Sequence, residues 1–268
     1  MEYSELEILI RRIREISGFD FSGYARPSLL RRASRYLTRH RMNLDALLLH
    51  IEPGGSIVYD LIQELTVNYS EMFRDPDFFI KVRTEVFNYL ESYPMLRFWV
   101  AGCASGEEAY SMAILLQEAG FMSRSLIYAT DLSNRVLSAA REGIFTLSNV
   151  RTFSENYIQA GGSHSLSEYY RVAYNKAVIS PELRKNIVFS MHDLTGDGVF
   201  NEFQFISCRN VMIYFTLELR QKVFRLLYDS LSMLGFLCLG KRETLRYSGL
   251  EDHFKVIDAT LNIYQKIK

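Results

Sequence analysis

The chain has 268 residues, 48% of them hydrophobic, enough to bury one large α/β core plus a smaller module. With 31 basic and 31 acidic side chains the formal net charge is zero, so nothing global favours nucleic acid or an acidic membrane, and any charge steering must be local. Three cysteines, Cys103, Cys208 and Cys238, are too few and too unevenly spaced for a disulfide framework or a CxxC metal site, which predicts a reducing, cytoplasmic setting and no metal.

From Glu5 to about Leu65 apolar residues recur at helical spacing (Leu6, Leu9, Ile10, Ile13; then Leu44, Leu47, Leu48, Ile51; then Ile57, Leu61, Ile62, Leu65). Breaks at Gly18, Arg26-Pro27 and Pro53-Gly54-Gly55 divide this into a bundle of about four helices, expected to form a domain over 1–66. With acids in the first turns no export leader is expected, and since no stretch approaches the ~20 apolar residues that span a bilayer, neither is direct membrane insertion. A linker over 67–95 follows. Beyond Pro94, short β-rich runs at 98–101, 126–130, 187–191, 203–208 and 236–239 alternate with helical runs at 107–118, 134–142 and 217–231. Such alternation predicts an α/β domain over 96–268, a parallel sheet with helices on both faces. The final run, FKVIDATLNIYQKI, reads as an antiparallel hairpin at one sheet edge. A stretch rich in Ser, Gly and Tyr, at about 144–185, fits neither pattern and reads as an insertion between the second and third strands.

The run RFWVAGCASGEEAYSMAI is a buried strand, a small-residue turn and a helix that opens on two acids. Gly102, Ala104, Ser105 and Gly106 let backbone approach a ligand at the carboxyl end of the strand, where open α/β sheets bind their ligands. Alone, such a turn is equally an ordinary βα connection. Asp131 ends the next strand in LIYATDLS, where a carboxylate can accept both hydroxyls of a ribose, although the position also suits a helix N-cap. Asp193 follows the strand after that, in VFSMHDLT, within reach of an adenine edge. A pyrophosphate would be repelled by Glu107 and Glu108 at the helix start. The two acids favour instead a ligand carrying an ammonium and a sulfonium, as S-adenosylmethionine does, with Glu107 the nearer contact and Glu108 a helix stabiliser.

Through LTVNYSEMFRDPDFF at 65–79, AGCASGEEAYSMAI at 101–114, ATDLSNRVLSAAREGIF at 129–145, FISCRNVMIYF at 205–215 and, more weakly, GFLCLGKRETL at 235–245, the chain resembles the CheR family of chemotaxis receptor glutamate O-methyltransferases. The resemblance implies a Rossmann-like S-adenosylmethionine-dependent methyltransferase domain with an N-terminal helical domain and a small inserted β-subdomain. It implies S-adenosylmethionine as cofactor, S-adenosylhomocysteine as product, and glutamyl methyl ester formation in sensory adaptation. Carried over by position, the family's cofactor site falls on Asn68, Ser70, Arg74, Gly102, Glu107, Asp131, Asp193, Leu194, Arg209 and Asn210. Ser70 stands where threonine is usual and Asp193 where asparagine is frequent. Arg74 and Arg209 are the candidates for orienting a carboxylate; no general base is assigned, since glutamate is already an anion at neutral pH.

Between Arg26 and Arg41 stand six arginines and no acid. On a helix over 28–40, Arg31, Arg35 and Arg39 recur four apart with Arg32 beside them, opposite Leu29, Ala33, Tyr36 and Leu37. This stripe is expected to dock the acidic cytoplasmic region of methyl-accepting chemotaxis receptors. The insertion resembles the subdomain that in some family members captures a receptor's C-terminal peptide by strand addition, with Tyr169, Tyr170 and Val172 as β-prone residues. Two other readings stand beside this one: a methyltransferase acting on another protein, and a non-catalytic signalling module that senses the cofactor.

Overall fold

The computed structural model describes residues 1–66 and 69–268. Four helices open the chain: α1 (Tyr3–Ser17), α2 (Arg26–His40), α3 (Leu44–His50) and α4 (Ser56–Leu65). A reciprocal cap between Glu2 and Glu5 starts α1, and Gly18, with φ 79°, ends it. Leu6, Leu9, Ile10 and Ile13, one face of α1, pack on Leu29, Ala33, Leu47, Val58, Leu61 and Leu65 in a core separate from the two beneath the sheet. Burial of each large side chain there contributes ~1.5–3 kcal/mol.

Helix α5 (Pro76–Lys81) runs through a π turn (Val82–Val86) into α6 (Phe87–Leu90). The remaining elements are β1 (Leu96–Ala101), α7 (Glu107–Glu118), β2 (Ser125–Asp131), α8 (Asn134–Glu142), β3 (Ile144–Thr146), α9 (Leu147–Gln159), β4 (Tyr170–Ala173), β5 (Lys176–Ile179), α10 (Pro181–Arg184), β6 (Ile187–Met191), β7 (Phe203–Cys208), α11 (Leu217–Ser230), β8 (Leu231–Leu239), β9 (Phe254–Asp258) and β10 (Ile263–Lys266). The main sheet has the order β6-β2-β1-β7-β8-β10-β9. Its first five strands run parallel, and β10 is antiparallel to both β8 and β9. Alternation along β1 sends Phe98 and Val100 to the core beneath one face of the sheet and Trp99 and Ala101 to the other. Strand order reverses at β1, with β2 on one side and β7 on the other, so a crevice opens at the carboxyl ends of these strands.

The hairpin β9–β10 and the position of the insertion agree with the sequence pattern, and three details do not. The insertion holds not only the sheet β3-β5-β4 but also the helix α9, whose Val150, Phe153 and Tyr157 recur at helical spacing and are buried. Its polar residues dilute that period. Strand β8 begins at Leu231, not near Phe236, because α11 passes into it without a loop, and Leu234, with φ 62°, kinks its first half. Helix α2 starts at Arg26 with Pro27 in its first turn. Among the described residues no helix is long and apolar enough to cross a membrane.

The helical bundle reaches the crevice through the residues before α2. Ala25 N donates to Tyr214 O at 2.7 Å, Thr216 N donates to Gly23 O at 2.8 Å, and Tyr24 forms an isolated antiparallel bridge with Phe215.

Candidate active site

The turn between β1 and α7 forms one wall. Gly102 has φ 73°, and a Cβ there would stand 2.4 Å from Val211 Cγ2, so both conformation and space exclude a side chain. The backbone N–H groups of Gly102 and Cys103 donate to Thr130 O at 2.8 and 2.9 Å. Asp131, at the end of β2, accepts from Ala104 N at 3.0 Å and from Ser133 N at 3.1 Å, which locks the turn to the neighbouring strand end. Burial raises the Asp131 pKa above its ordinary value, against the lowering by the Ser133, Ala104 and Leu132 amides.

At the end of β6, Asp193 closes its own turn by accepting from Thr195 N at 2.8 Å and Thr195 Oγ1 at 2.7 Å. Its neighbour His192 is buried with its ring edge-on to Trp99; Nε2 lies 3.2 Å from Gly198 O, and Nδ1 has no partner among the described residues.

At the end of β7 stands Arg209, its side chain 2% exposed. Its guanidinium bridges Glu108 at 2.9 Å and Asp75 at 2.8 Å, donates to Arg74 O at 3.0 Å, and lies 4.0 Å from the centroid of the Phe78 ring. This candidate for orienting a carboxylate thus has its charge shared between two acids of the chain itself. Arg74 is different, lining the crevice with no ion-pair partner among the described residues.

These elements enclose a cleft of about 1060 Å³, its open mouth included. Of the residues expected from sequence, Ser70, Arg74, Gly102, Asp131, Asp193, Leu194, Arg209 and Asn210 all line it, and Asn68 lies outside the described residues. Glu107, the nearer contact in the sequence reading, is not among the residues that line it, whereas Glu108 is. The reason is local. The Glu107 carboxyl is held back toward the amides of Glu107 and Ser105 and is 6% exposed, whereas Glu108 projects to Arg209 and the hydroxyl of Ser207. Burial pushes the Glu107 pKa up to about 7, and its Oε2 has no hydrogen-bond partner among the described residues.

Two contributors escaped the sequence reading. Tyr24, Ala25, Ser28 and Leu29 cover the cleft from the helical bundle, and burial, followed by the charges of Asp193 and Asp131, raises the Tyr24 pKa. Glu243, 5% exposed, accepts from the N–H groups of Asn210, Val211 and Met212 at 2.8, 2.9 and 2.7 Å and from Gly240 at 2.6 Å. It holds the loop after β7 in shape. The cue was faint: an acid in GKRETL with no helical or strand period around it.

The basic stripe on α2 is smaller than expected. Glu64 of α4, outside the acid-free window, pairs with Arg39 at 2.7 Å. Arg32 turns inward, donates to Thr66 O at 2.9 Å and lies 5.4 Å from the Tyr214 ring centroid. Arg31 and Arg35 remain exposed, with no ion-pair partner among the described residues.

Chemically, the cleft is lined by Glu108, Asp131 and Asp193 and, at the linker, by Arg74, which has no ion-pair partner among the described residues. That suits a ligand bearing positive charge and a carboxylate, and His192 adds an imidazole to the lining. The family model described as CheR methyltransferase, SAM binding domain, matches residues 68–263. Cher3 of Pseudomonas putida is 40% identical over 263 residues, covering 98% of this chain and 96% of that protein. A chemotaxis protein methyltransferase of Listeria innocua is 28% identical over 243 residues, 88% of each chain. An uncharacterized 104.1 kDa protein of Rhodobacter capsulatus is 28% identical over 97% of this chain, which spans only 27% of that protein.

Proposed function

Because this chain belongs to the CheR methyltransferase family and is an S-adenosylmethionine-dependent methyltransferase, we propose that its acceptors are glutamate carboxylates on the cytoplasmic region of chemotaxis receptors. The observation that carries this reading is the family match across 68–263, which takes in the cleft's lining from Tyr69 to Phe215, its acids Glu108, Asp131 and Asp193 included. The cytoplasm is the compartment where such an acceptor would be met.

S-adenosylmethionine, when bound, supplies an electrophilic methyl group on a sulfonium. Asp131 is proposed to accept the ribose hydroxyls, and Asp193 with Leu194 to meet the adenine edge, beside His192. Ser70 and Asn210 border the same space, and Asn68 is assigned there by resemblance. Glu107 is proposed to act on the ligand through the turn it braces. Arg74 is proposed to orient a carboxylate, with Arg209 fixing Arg74 through its carbonyl. The acceptor glutamate is an anion at neutral pH, with an unperturbed pKa of ~4.3, so the chain need supply no base. Its work is orientation and exclusion of water, which can be worth ~7–11 kcal/mol.

For the acceptor, Arg31 and Arg35 offer exposed positive charge on α2. A receptor tail has a candidate seat on β4, an edge strand of the inserted sheet on which Val172 is 61% exposed. The test is incubation with methyl-labelled S-adenosylmethionine and receptor cytoplasmic fragments. Base-labile label on glutamate is expected. Base-stable label, or none on any acidic receptor fragment, would overturn the receptor-glutamate reading.

A further inference from the structure

We propose that the loop over residues 240–247 is a second docking surface, which receives an acidic protein helix beside the wall of the cleft formed by Asn210 and Val211; the inference rests on the receptor-glutamate reading. The run GKRETLRY alternates in a telling way. Glu243 and Leu245 point inward and are buried, while Lys241, Arg242, Arg246 and Tyr247 are exposed. The loop's one acid is therefore consumed by its four backbone hydrogen bonds, and every charge left on the outer side is positive.

The loop is a built surface. Glu243 fastens it to residues 210–212, Leu245 and Leu250 root it in the core beneath α11, and Gln221 Nε2 donates to Tyr247 O at 2.7 Å. It also adjoins the cleft: a Cβ on Gly240 would stand 2.8 Å from Asn210 N, and Asn210 and Val211 line the cleft wall. Lys241 is tied to Asp75 at 3.3 Å, the acid that also holds Arg209. Arg242 and Arg246 have no ion-pair partner among the described residues. On the other side of the loop after β7, Tyr214 joins the start of α2 through Ala25. The chain thus carries, near the two ends of the loop after β7, two sets of exposed arginines without ion-pair partners among the described residues, Arg31 and Arg35 on α2 and Arg242 and Arg246 here. Charge complementarity at such a surface favours acidic flanks on the acceptor and raises its encounter rate.

The test replaces Arg242 and Arg246 together by glutamine, leaving Lys241 and Glu243 in place. Affinity for S-adenosylhomocysteine, read by calorimetry, should be unchanged. The KM for an acidic receptor fragment should rise about fivefold at low salt, from weakened exposed ion pairs, with the difference shrinking as salt is raised. An unchanged KM at low salt, in a preparation whose wild type does esterify the fragment, overturns the docking surface and leaves the functional reading intact. A wild type that esterifies no receptor fragment defeats that reading first. Loss of sedimentation with anionic phospholipid vesicles in the variant, with KM unchanged, would assign the loop to a membrane surface and overturn the proposal as well.

Discussion

The two sides of the cleft are built on opposite plans. On the strand-end side the charged groups that shape the wall are already engaged: Asp131 holds two amides, Arg209 two carboxylates and Glu243 four amides. On the outer side, Arg31, Arg35, Arg242 and Arg246 stand exposed, with no ion-pair partner among the described residues. The first plan fixes positions to a few tenths of an ångström, at the risk that one substitution orphans several buried groups. The second attracts from a distance and tolerates loss of any one charge. Substitutions should therefore have large, salt-independent effects on the first side and small, salt-dependent ones on the second.

The largest effect is expected at Arg209. Glutamine there would leave Glu108 with no ion-pair partner among the described residues and Asp75 with Lys241 alone, a loss of about 3–5 kcal/mol of stability by analogy with broken buried ion pairs. Urea unfolding would measure it, and a loss below about 1 kcal/mol would show the network to be dispensable. Next comes Glu107, whose pKa is raised by burial from 4.5 to about 7. Because the folded state favours the protonated form, this group's contribution to stability is fully present below pH 4.5 and is lost as pH rises through about 7. Glu107→Gln should remove that slope, making the variant relatively more stable above pH 7 by up to roughly 3 kcal/mol. Parallel pH profiles of Tm for the two proteins would refute the burial argument. Normal S-adenosylhomocysteine affinity in the variant would confine Glu107 to bracing the turn.

Below these in size is Asp131. Asp131→Ala removes the proposed acceptor for the ribose hydroxyls, at ~1.5–3 kcal/mol for a pair of charge-assisted hydrogen bonds. It also frees the amides of Ala104 and Ser133, so Asp131→Asn, which keeps one acceptor oxygen, separates loss of the turn from loss of the ligand contact. Calorimetric affinity for S-adenosylhomocysteine unchanged in both variants would reject the assignment.

What the sequence made legible follows the range of the interactions. The strand–turn–helix unit at 96–118 and the acid at the end of β2 are set by local periods and turn chemistry, and these stand where the pattern puts them. Glu108, Tyr24 and Glu243 owe their places to partners far along the chain: Glu108 to Arg209, Tyr24 to Phe215, Glu243 to residues 210–212. No window of sequence contains both halves of any of these pairs. The placement of Glu108 beside the cleft has the same cause, since its partner Arg209 lies just beyond the end of β7. The acid-free window on α2 misled similarly, because Glu64 reaches Arg39 from the next helix but one.

The smallest effect sharpens the contrast most. On α2, Arg39 is paired with Glu64 and Arg32 is spent on Thr66 and Tyr214, so only Arg31 and Arg35 are left to attract an acceptor. Replacing those two by glutamine should raise the KM for an acidic receptor fragment about two- to fivefold at low salt, the range for exposed ion pairs. The difference should fade as added salt shortens the Debye length below its ~8 Å at physiological ionic strength. Arg39→Gln is the internal control: its charge is already answered within the bundle, so it should shift stability slightly and the KM hardly at all. Equal increases in KM for Arg39→Gln and for the Arg31 and Arg35 pair would mean that the acceptor reads the whole face of α2 without regard to which charges are free, and the division between engaged and unengaged groups would fail at the one place where both kinds share a single helix.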